Sequence, residues 1–509
     1  MPAVIITLLA THKYGPGIDN DGTFYLLFGE TLAKHFNLFH YDDAFKGVWP
    51  PFYPIIIASL KFTSINIITA IGILNTVLYA GTLMLAYLSI DPFISNKKLV
   101  SAYMIVLLLS FPVFSIFTKV LSDTLFIFLF SALLYFIIQL EIKYSSSIMF
   151  LLVLCMALIP LDRYAGIFCN IAVIGYLLLK LRDNRQIQKK IIWISIIAFL
   201  PIMLWMIRNY FFIHHTTGVV AKVDLQRILF FGYNSMNEWI LPHIVPAIMR
   251  SIIFDGLVLG CCIIIWKWRK IFDKMLFIPV FFIAYSVALT LIWKPEYMEY
   301  RYLSPAFIPF LATIFIILDK VNSRFVRLSM FFALLCLFTT QFFTTVLFIT
   351  YRFYLGGGGF NTNEWQSSQI AGYLRNNRLT DTTYTNEIGA CQYFNDHFAT
   401  GIKNTDLQPP LPENSRHVSS KGNLVLFNNG SRDILNLSKF NFGSFNYIIR
   451  STLRDTVNKD NVFFGLSQEE LLKNFATNNN LVYTKRISLA DGSIYYFTKV
   501  PEIFNKNVQ

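Results

Sequence analysis

Two aspartates near the start of the chain are the first side chains placed for chemistry. Asp19 and Asp21 lie two positions apart in residues 15–25, which read GPGIDNDGTFY. A carboxylate in such a loop can take a proton from an attacking hydroxyl, as a general base does, or can hold a metal ion or an acceptor. Asp, Asn and Gly also favour turns, so a solvated turn is the competing interpretation.

Two later clusters bring polar groups to the ends of apolar stretches. Ser122-Asp123 reads as a helix N-cap when it is taken alone. Asp162-Arg163 is either a structural salt bridge or a place where the guanidinium binds phosphate, because guanidinium geometry suits phosphate oxygens.

A third cluster, residues 296–302, reads EYMEYRY. An aromatic belt at the membrane interface explains its tyrosines, but it explains Glu299 and Arg301 less well. The six cysteines and eight histidines show no spacing typical of metal ligands. The sequence therefore specifies no cofactor, and a divalent metal held by carboxylates stays open.

The composition is that of a membrane protein. The 509 residues are 55% hydrophobic and 17% aromatic, with 14% charged residues and a mean hydropathy of +0.50. Soluble domains carry about 25% charged residues. The net charge of +13 does not indicate a nucleic-acid partner, since much of it lies in short loops between apolar stretches.

These stretches predict a polytopic α-helical membrane protein of about eleven spans. Ten have nearly full length, and residues 2–11 cover only about half a bilayer, which suggests a truncated first helix. The ten are residues 66–88, 98–118, 123–140, 147–161, 164–181, 191–212, 247–266, 273–293, 303–319 and 328–350.

Alternate loops agree on the orientation of these spans. Residues 89–97, 141–146, 180–190, 267–274 and 319–327 together contain fourteen Lys and Arg residues. The positive-inside rule places them in the cytoplasm. The first acidic loop and the chain from residue 351 then lie outside, as expected for a multi-pass protein of an inner (plasma) membrane.

The outer segments have structure of their own. Residues 22–39 and 51–62 predict helices that lie in the membrane interface. Gly356 to Gly359 predict a flexible joint. The tail predicts a small extracytoplasmic α/β domain, with a hairpin turn at Asp491-Gly492. The expected division is therefore a membrane domain at 1–350 and an outer domain at 351–509.

This topology brings charges from separate segments to one face. They are Asp19, Asp21, Asp123, Arg163, Glu299 and Arg301. Carboxylates with guanidiniums suit a hydroxyl nucleophile and a phosphate leaving group, because arginine neutralises the charge that develops on phosphate while a carboxylate activates the attacker.

The motifs resemble those of the GT-C superfamily of membrane glycosyltransferases, especially bacterial relatives of the protein O-mannosyltransferases and the lipid A aminoarabinose transferases. The first outer loop of that family has an Asp followed four residues later by Tyr and then a Pro-Pro-x-Tyr-Pro segment. Here these are Asp21, Tyr25 and residues 50–54, PPFYP.

Three further motifs keep the family's order along the chain. The family often has Ser-Glu at the outer start of a span, where this chain has Asp123 after Ser122. An Arg-Tyr pair followed by Gly matches Arg163-Tyr164, and a late Arg-Tyr pair followed by Pro matches Arg301-Tyr302.

The resemblance implies inverting transfer of a sugar from a polyprenyl-phosphate donor to the hydroxyl of a lipid, glycan or protein acceptor outside the membrane. Asp21 would be the base, with Asp19 as its substitute. The substrate-binding residues would be Tyr25, Asp123, Arg163, Tyr164, Glu299, Arg301 and Tyr302.

Three other classes compete with a transferase, and one of them, a membrane-anchored binding or assembly protein, leaves the outer acidic and basic clusters unexplained. A transporter or flippase of lipid-linked sugar would be expected to carry charges within several spans, whereas this chain keeps its charges at helix ends. A ligase or polymerase of lipid-linked glycans shares the substrate type, so the sequence separates it poorly from a transferase.

Overall fold

The structure, a computed structural model, consists of a helical part followed by a smaller sheet-containing part. It describes residues 1–35, 49–180, 185–214, 216–217, 236–241, 245–267, 275–289, 300–381, 383–385, 387–396, 399–401, 421–427, 468–479, 481–490 and 492–499.

Fourteen α-helices are described up to residue 355. They are α1 Pro2–Thr11, α2 Asn20–His35, α3 Phe52–Leu60, α4 Ile67–Ile90, α5 Lys97–Leu108, α6 Phe111–Phe114, α7 Asp123–Ile142, α8 Ser146–Asp162, α9 Gly166–Lys180, α10 Arg185–Ile213, α11 Ala247–Lys267, α12 Phe277–Ala288, α13 Tyr300–Lys320 and α14 Arg324–Leu355. A 3₁₀ turn at Ile116–Thr118 follows α6.

Helices occupy every predicted span, but not all have full length. Among the described residues, six helices are long and apolar enough to cross a membrane, or seven if the pair Lys97–Leu108 and Phe111–Thr118, bent by 50°, is one span. Four more apolar helices, α1, α8, α9 and α12, have 10 to 17 residues. A multi-pass helical protein is confirmed, and the number eleven stays a prediction.

Much of the two stretches predicted as interfacial helices is helical, as α2 and α3, and their location in an outer loop stays a prediction. α2 and α3 pack on each other, and Lys61 just after α3 forms an ion pair with Glu30 of α2 at 2.8 Å. Residues 36–39 of the predicted first helix lie outside the described part of the chain. The position of these helices in the membrane interface stays a prediction.

The most buried of the candidate spans is α13, so it forms the centre of the helical part. Its side chains pack on those of its neighbours; the Trp239 ring, for example, stacks edge-on against Phe307 at 5.3 Å. Because α13 begins at Tyr300, Arg301 is carried at the end of this central helix.

The predicted flexible joint at Gly356 to Gly359 is wrong. The run is hydrogen-bonded to the first loop: the Ile18 N–H donates to the Gly358 carbonyl at 3.2 Å, and the Phe360 N–H donates to the Ile18 carbonyl at 2.7 Å. Two backbone segments can approach this closely only when no side chain lies between them. A Cβ atom on Gly357 would overlap the Gly15 carbonyl oxygen, and one on Gly359 would overlap the Ile18 carbonyl oxygen. The glycines serve close packing.

We call the glycine run Gly356–Gly359, with its hydrogen bonds to the first loop, the clamp. The sheet-containing part of the chain begins there. A short ribbon, β1 Gly356–Gly358 and β2 Asn361–Thr362, leads to helices α15 Asn363–Gln366, α16 Gln369–Asn376 and α17 Ile388–Asn395. A later helix, α18, covers Gln468–Asn478.

Five strands form the sheet of this part. They are β3 Thr383–Thr385, β4 Ala399–Gly401, β5 Lys421–Phe427, β6 Leu481–Leu489 and β7 Gly492–Lys499, in the spatial order β4-β3-β5-β7-β6. β3 is parallel to both neighbours, whereas β5–β7 and β6–β7 are antiparallel. The predicted hairpin is confirmed by the β6–β7 pairing, and the α/β character holds for the described strands and helices. The boundary at residue 350 stays a prediction.

Because the clamp is so closely packed, adding one methyl group at Gly359 should strongly lower the stability of the protein. Gly359→Ala should destabilise the protein by roughly 1–3 kcal/mol or more, since Gly359 has φ +56° and its Cβ would meet a backbone oxygen. The thermal unfolding midpoint in detergent would measure this. Gly372→Ala is the matched control, because a Cβ there meets nothing within 4 Å and helix α16 should gain up to about 1 kcal/mol. Equal midpoints for both variants would contradict the clamp.

Candidate active site

The loop that carries the two first aspartates is held on both sides by backbone hydrogen bonds. The Gly17 N–H donates to the Thr118 carbonyl at 2.8 Å, and the Val120 N–H donates to the Gly17 carbonyl at 2.8 Å. The Gly356–Gly359 clamp lies on the other side. The start of α2 is therefore fixed against the start of α7.

Asp19 is the N-cap of α2. Its Oδ1 accepts from the Gly22 N–H at 3.0 Å, and its carbonyl accepts from the Thr23 N–H at 3.0 Å. A side-chain acceptor at this position satisfies an N–H that has no partner within the helix. The solvated-turn interpretation is therefore half right: the residue types make a cap, but in a packed setting.

Asp21 in the first turn of α2 pairs with Arg301. The Arg301 Nη2 lies 2.6 Å from the Asp21 Oδ2. The arginine side chain is 9% exposed and the aspartate side chain 28% exposed. Asp21 therefore remains accessible to an incoming group, while Arg301 is held within the protein.

Asp123 lies beside both arginines. It is the first residue of α7, is 3% exposed, and forms an ion pair with Arg163 through its Oδ2. The same oxygen lies 3.9 Å from the Arg301 Nη1. One buried carboxylate thus helps to hold two guanidiniums from α13 and from the α8–α9 turn close together.

Tyr302 contributes an aromatic face to this pair of cations. The Arg163 guanidinium lies 5.0 Å from the centre of the Tyr302 ring, and that of Arg301 lies 5.1 Å from it. Cations within about 6 Å of a ring face are attracted by its quadrupole. The ring and the two carboxylates together offset the repulsion between the arginines.

Tyr25 joins the cluster through α2. Its hydroxyl lies 2.8 Å from the Ser122 Oγ, and its side chain is almost fully buried. Its ring packs edge-on against Tyr53 at 5.1 Å and Trp49 at 5.8 Å. The Pro-Pro-x-Tyr-Pro segment is thus a support for the aspartate-bearing helix.

Two sequence-predicted residues are not shown in this cluster. The Tyr164 hydroxyl accepts from the Trp205 Nε1 at 3.2 Å and from the Asn209 Nδ2 at 3.3 Å, so it anchors α10. Glu299 lies outside the described residues. The binding roles assigned to these two residues stay predictions.

Two charged residues that belong to the neighbourhood were not among the predicted site residues. Lys119 is 8% exposed and interacts electrostatically with Asp19. It is the only charged residue between 99 and 122, and that isolation was a usable signal. Asp162 is 1% exposed and lies within electrostatic reach of Arg163 and Asp123.

The described residues contain no group of three or more His, Cys, Asp or Glu side chains arranged to hold a metal ion. Asp21 and Asp123 are instead engaged by guanidiniums. The chemistry open to this cluster is therefore binding of an anion by two arginines beside an accessible carboxylate.

Comparison with known proteins gives similarity at the level of structure. No family model matches the chain, and no characterised protein matches it by sequence. The crystal structure of ArnT from Cupriavidus metallidurans in the apo state matches with a TM-score of 0.57 and 12% identity, over 97% of this chain and 96% of that one. The structure of that protein bound to undecaprenyl phosphate matches with a TM-score of 0.57 and 10% identity over the same shares.

The match spans nearly the whole of both chains, so this chain shares the fold of the ArnT structures. The resemblance inferred from the short motifs is confirmed at this level. Identities of 10% and 12% carry no information about individual site residues.

The cap residue predicts a pH effect on stability. Burial raises the pKa of Asp19 above its ordinary 3.8, and Asp21 raises it further, against the opposing charge of Lys119. The folded state then holds the proton more tightly than the unfolded state, so this group favours folding at low pH and the advantage is lost as pH rises through the raised pKa.

The thermal midpoint of wild type should therefore fall, relative to Asp19→Asn, as pH rises from about 4, because Asn keeps the cap but does not titrate. Asp91→Asn, which removes an exposed ion pair with Lys97, is the control and should follow wild type. If the Asp19→Asn curve also follows wild type, the assignment of a raised pKa fails.

Proposed function

We propose that this chain is a glycosyltransferase that moves a sugar from a polyprenyl-phosphate donor to an acceptor hydroxyl on the outer side of the membrane. The observation that carries the proposal is the cluster of Asp21, Arg301, Asp123 and Arg163 in a GT-C fold. The bound lipid of the matching ArnT structure, undecaprenyl phosphate, supports the donor class.

Arg163 and Arg301 bind the phosphate of the donor. Two guanidiniums within one cluster can each offer paired N–H donors to phosphate oxygens. Their carboxylate and tyrosine partners hold them in place before the donor arrives, so little reorganisation is needed on binding. The negative charge that grows on the leaving phosphate is then met by fixed positive charge.

Asp21 takes the proton of the acceptor hydroxyl. The hydroxyl oxygen attacks the anomeric carbon as the bond from that carbon to the phosphate oxygen breaks, and the bonding electrons leave with polyprenyl phosphate. One displacement of this kind inverts the anomeric configuration. Asp21 suits the role better than Asp19, because it is accessible whereas Asp19 caps a helix.

The outer part of the chain contributes to the acceptor side. Residues 351–509 include the glycine run that is bonded to the aspartate loop, and the Asn361 Nδ2 donates to the carbonyls of Tyr14 at 3.0 Å and Pro16 at 2.9 Å. In this proposal the protein is a multi-pass inner-membrane enzyme, with the domain after residue 350 outside and a lipid, glycan or protein as acceptor.

A transporter of lipid-linked sugar is the alternative from another class. Apart from Asp255 in α11, the described candidate spans keep their charges near their ends, and the paired carboxylates and arginines converge on one cluster. This arrangement favours chemistry at one face over movement across the bilayer. A glycan ligase or polymerase would use the same cluster and differ only in its acceptor.

Turnover tests the proposed base. Purified protein in lipid, given a panel of polyprenyl-phosphate sugars and acceptors, should release polyprenyl phosphate from one donor. Asp21→Asn should lower this rate about 10²- to 10⁴-fold, the usual contribution of a general base. Asp91→Asn, at an exposed ion pair, should keep wild-type turnover. Wild-type turnover in Asp21→Asn would remove Asp21 from the mechanism.

The affinity for polyprenyl phosphate tests the arginines. Arg301→Lys should weaken binding about tenfold or more, because lysine cannot make the paired contact with phosphate oxygens. Arg327→Lys is the matched control, since Arg327 donates to the Val321 carbonyl and the Asn322 side chain near the start of α14. Equal affinity in the two variants would exclude Arg301 from the phosphate site.

A further inference from the structure

A third carboxylate beside the cluster has no partner of its own. Asp162 is the last residue of α8 and is 1% exposed. Within the part of the chain that the structure describes, neither its Oδ1 nor its Oδ2 accepts a hydrogen bond. Buried polar side chains nearly always have a partner, so an acceptor with two unused oxygens calls for an explanation.

The neighbouring arginine does not fill this role. Arg163 forms its ion pair with Asp123 and lies over the ring of Tyr302. The expected salt bridge within Asp162-Arg163 is therefore absent among the described ion pairs. Asp162 still interacts electrostatically with Arg163, Asp123 and Tyr53, so it lies beside the proposed donor site.

The backbone holds Asp162 in this position. The Arg163 N–H donates to the Ile159 carbonyl at 3.1 Å, and α9 packs directly on the end of α8 at Gly166. A Cβ on Gly166 would lie 2.5 Å from the Ile159 carbonyl carbon. This close contact fixes the end of α8, and with it Asp162, against α9.

We infer that the Asp162 carboxyl group forms hydrogen bonds with hydroxyl groups on the sugar of the donor. This inference rests on the proposed function. The donor phosphate is already assigned to the two arginines and the lipid tail is apolar, so the sugar is the part of the donor that offers this carboxyl group hydrogen-bond partners. The acceptor hydroxyl is already assigned to Asp21, which pairs with Arg301 on α13.

Two ligands that share a phosphate, one with a sugar and one without, test the contact with Asp162. Binding of polyprenyl phosphate and of the turned-over polyprenyl-phosphate sugar would be measured for wild type and for Asp162→Asn. The variant should bind the sugar-bearing donor about 2- to 10-fold more weakly, the usual value of a hydrogen bond between neutral groups. Its affinity for polyprenyl phosphate should not change.

Donors that lack one hydroxyl at a time identify the contacting group. Removing the hydroxyl that Asp162 contacts should weaken binding to wild type but should not weaken binding to Asp162→Asn any further. If every such donor weakens binding to wild type and to the variant by the same factor, the sugar contact is overturned.

Stability provides an independent readout. Asn has nearly the shape of Asp, so the ligand-free thermal midpoint of Asp162→Asn should stay level, because no hydrogen bond to the described residues is lost. Asp162→Ala should lose the same selectivity for the sugar. A residue with only a structural role would instead lower the midpoint and weaken both ligands equally.

The outcomes are distinct. Equal weakening of both ligands, or no weakening of either, overturns the role of Asp162 and leaves the proposed function standing. Failure of wild type to bind either ligand overturns the proposed function, and the sugar contact falls with it.

Discussion

The backbone hydrogen bonds of residues 15–20 are the constraint on which the candidate site depends. This segment lies between the end of the 3₁₀ turn at Thr118 and the glycine run Gly356–Gly359, and it bonds to both. It thereby joins the first helices, the start of α7 and the sheet-containing part of the chain. Any displacement of the glycine run would be transmitted to Asp19 and Asp21.

The charges of the site are arranged so that none of the four central groups is isolated. Asp21 pairs with Arg301, Asp123 pairs with Arg163, and the Arg301–Asp123 distance of 3.9 Å links the two pairs. Removing one partner of such a buried pair leaves an uncompensated charge and costs about 3–5 kcal/mol. The cluster is therefore held by its own electrostatics, on elements that the hydrophobic core positions.

Asp162 differs from these paired groups, because neither of its oxygens accepts a hydrogen bond from the described residues. Carboxylates that serve the scaffold have partners, as Asp19 has in the Gly22 N–H and as Asp319 has in the N–H groups of Ser95 and Asn96. A buried carboxylate without one is a local cost to the folded state, and such costs tend to occur at functional sites. Among the described residues, the fold thus separates carboxylates that hold the protein together from Asp162, which we assign to a ligand.

The sequence by itself determined the class of the protein and the identity of most charged residues in the cluster. Long apolar stretches with cations in alternate loops admit few structures other than a helical bundle in a membrane, since buried backbone groups in lipid must pair within helices. Short motifs in a set order then pointed to Asp21, Arg163 and Arg301, because each charge interrupts apolar sequence.

Only the tertiary structure decided which partner each charge has. Arg163 is adjacent to Asp162 in the sequence but pairs with Asp123, and Arg301 pairs with Asp21 across 280 positions. The glycine run likewise reads as flexible, because local sequence reports the freedom of a backbone but not the carbonyl packed against it. Pairing and close approach are set by which helices pack together, and no local pattern encodes that.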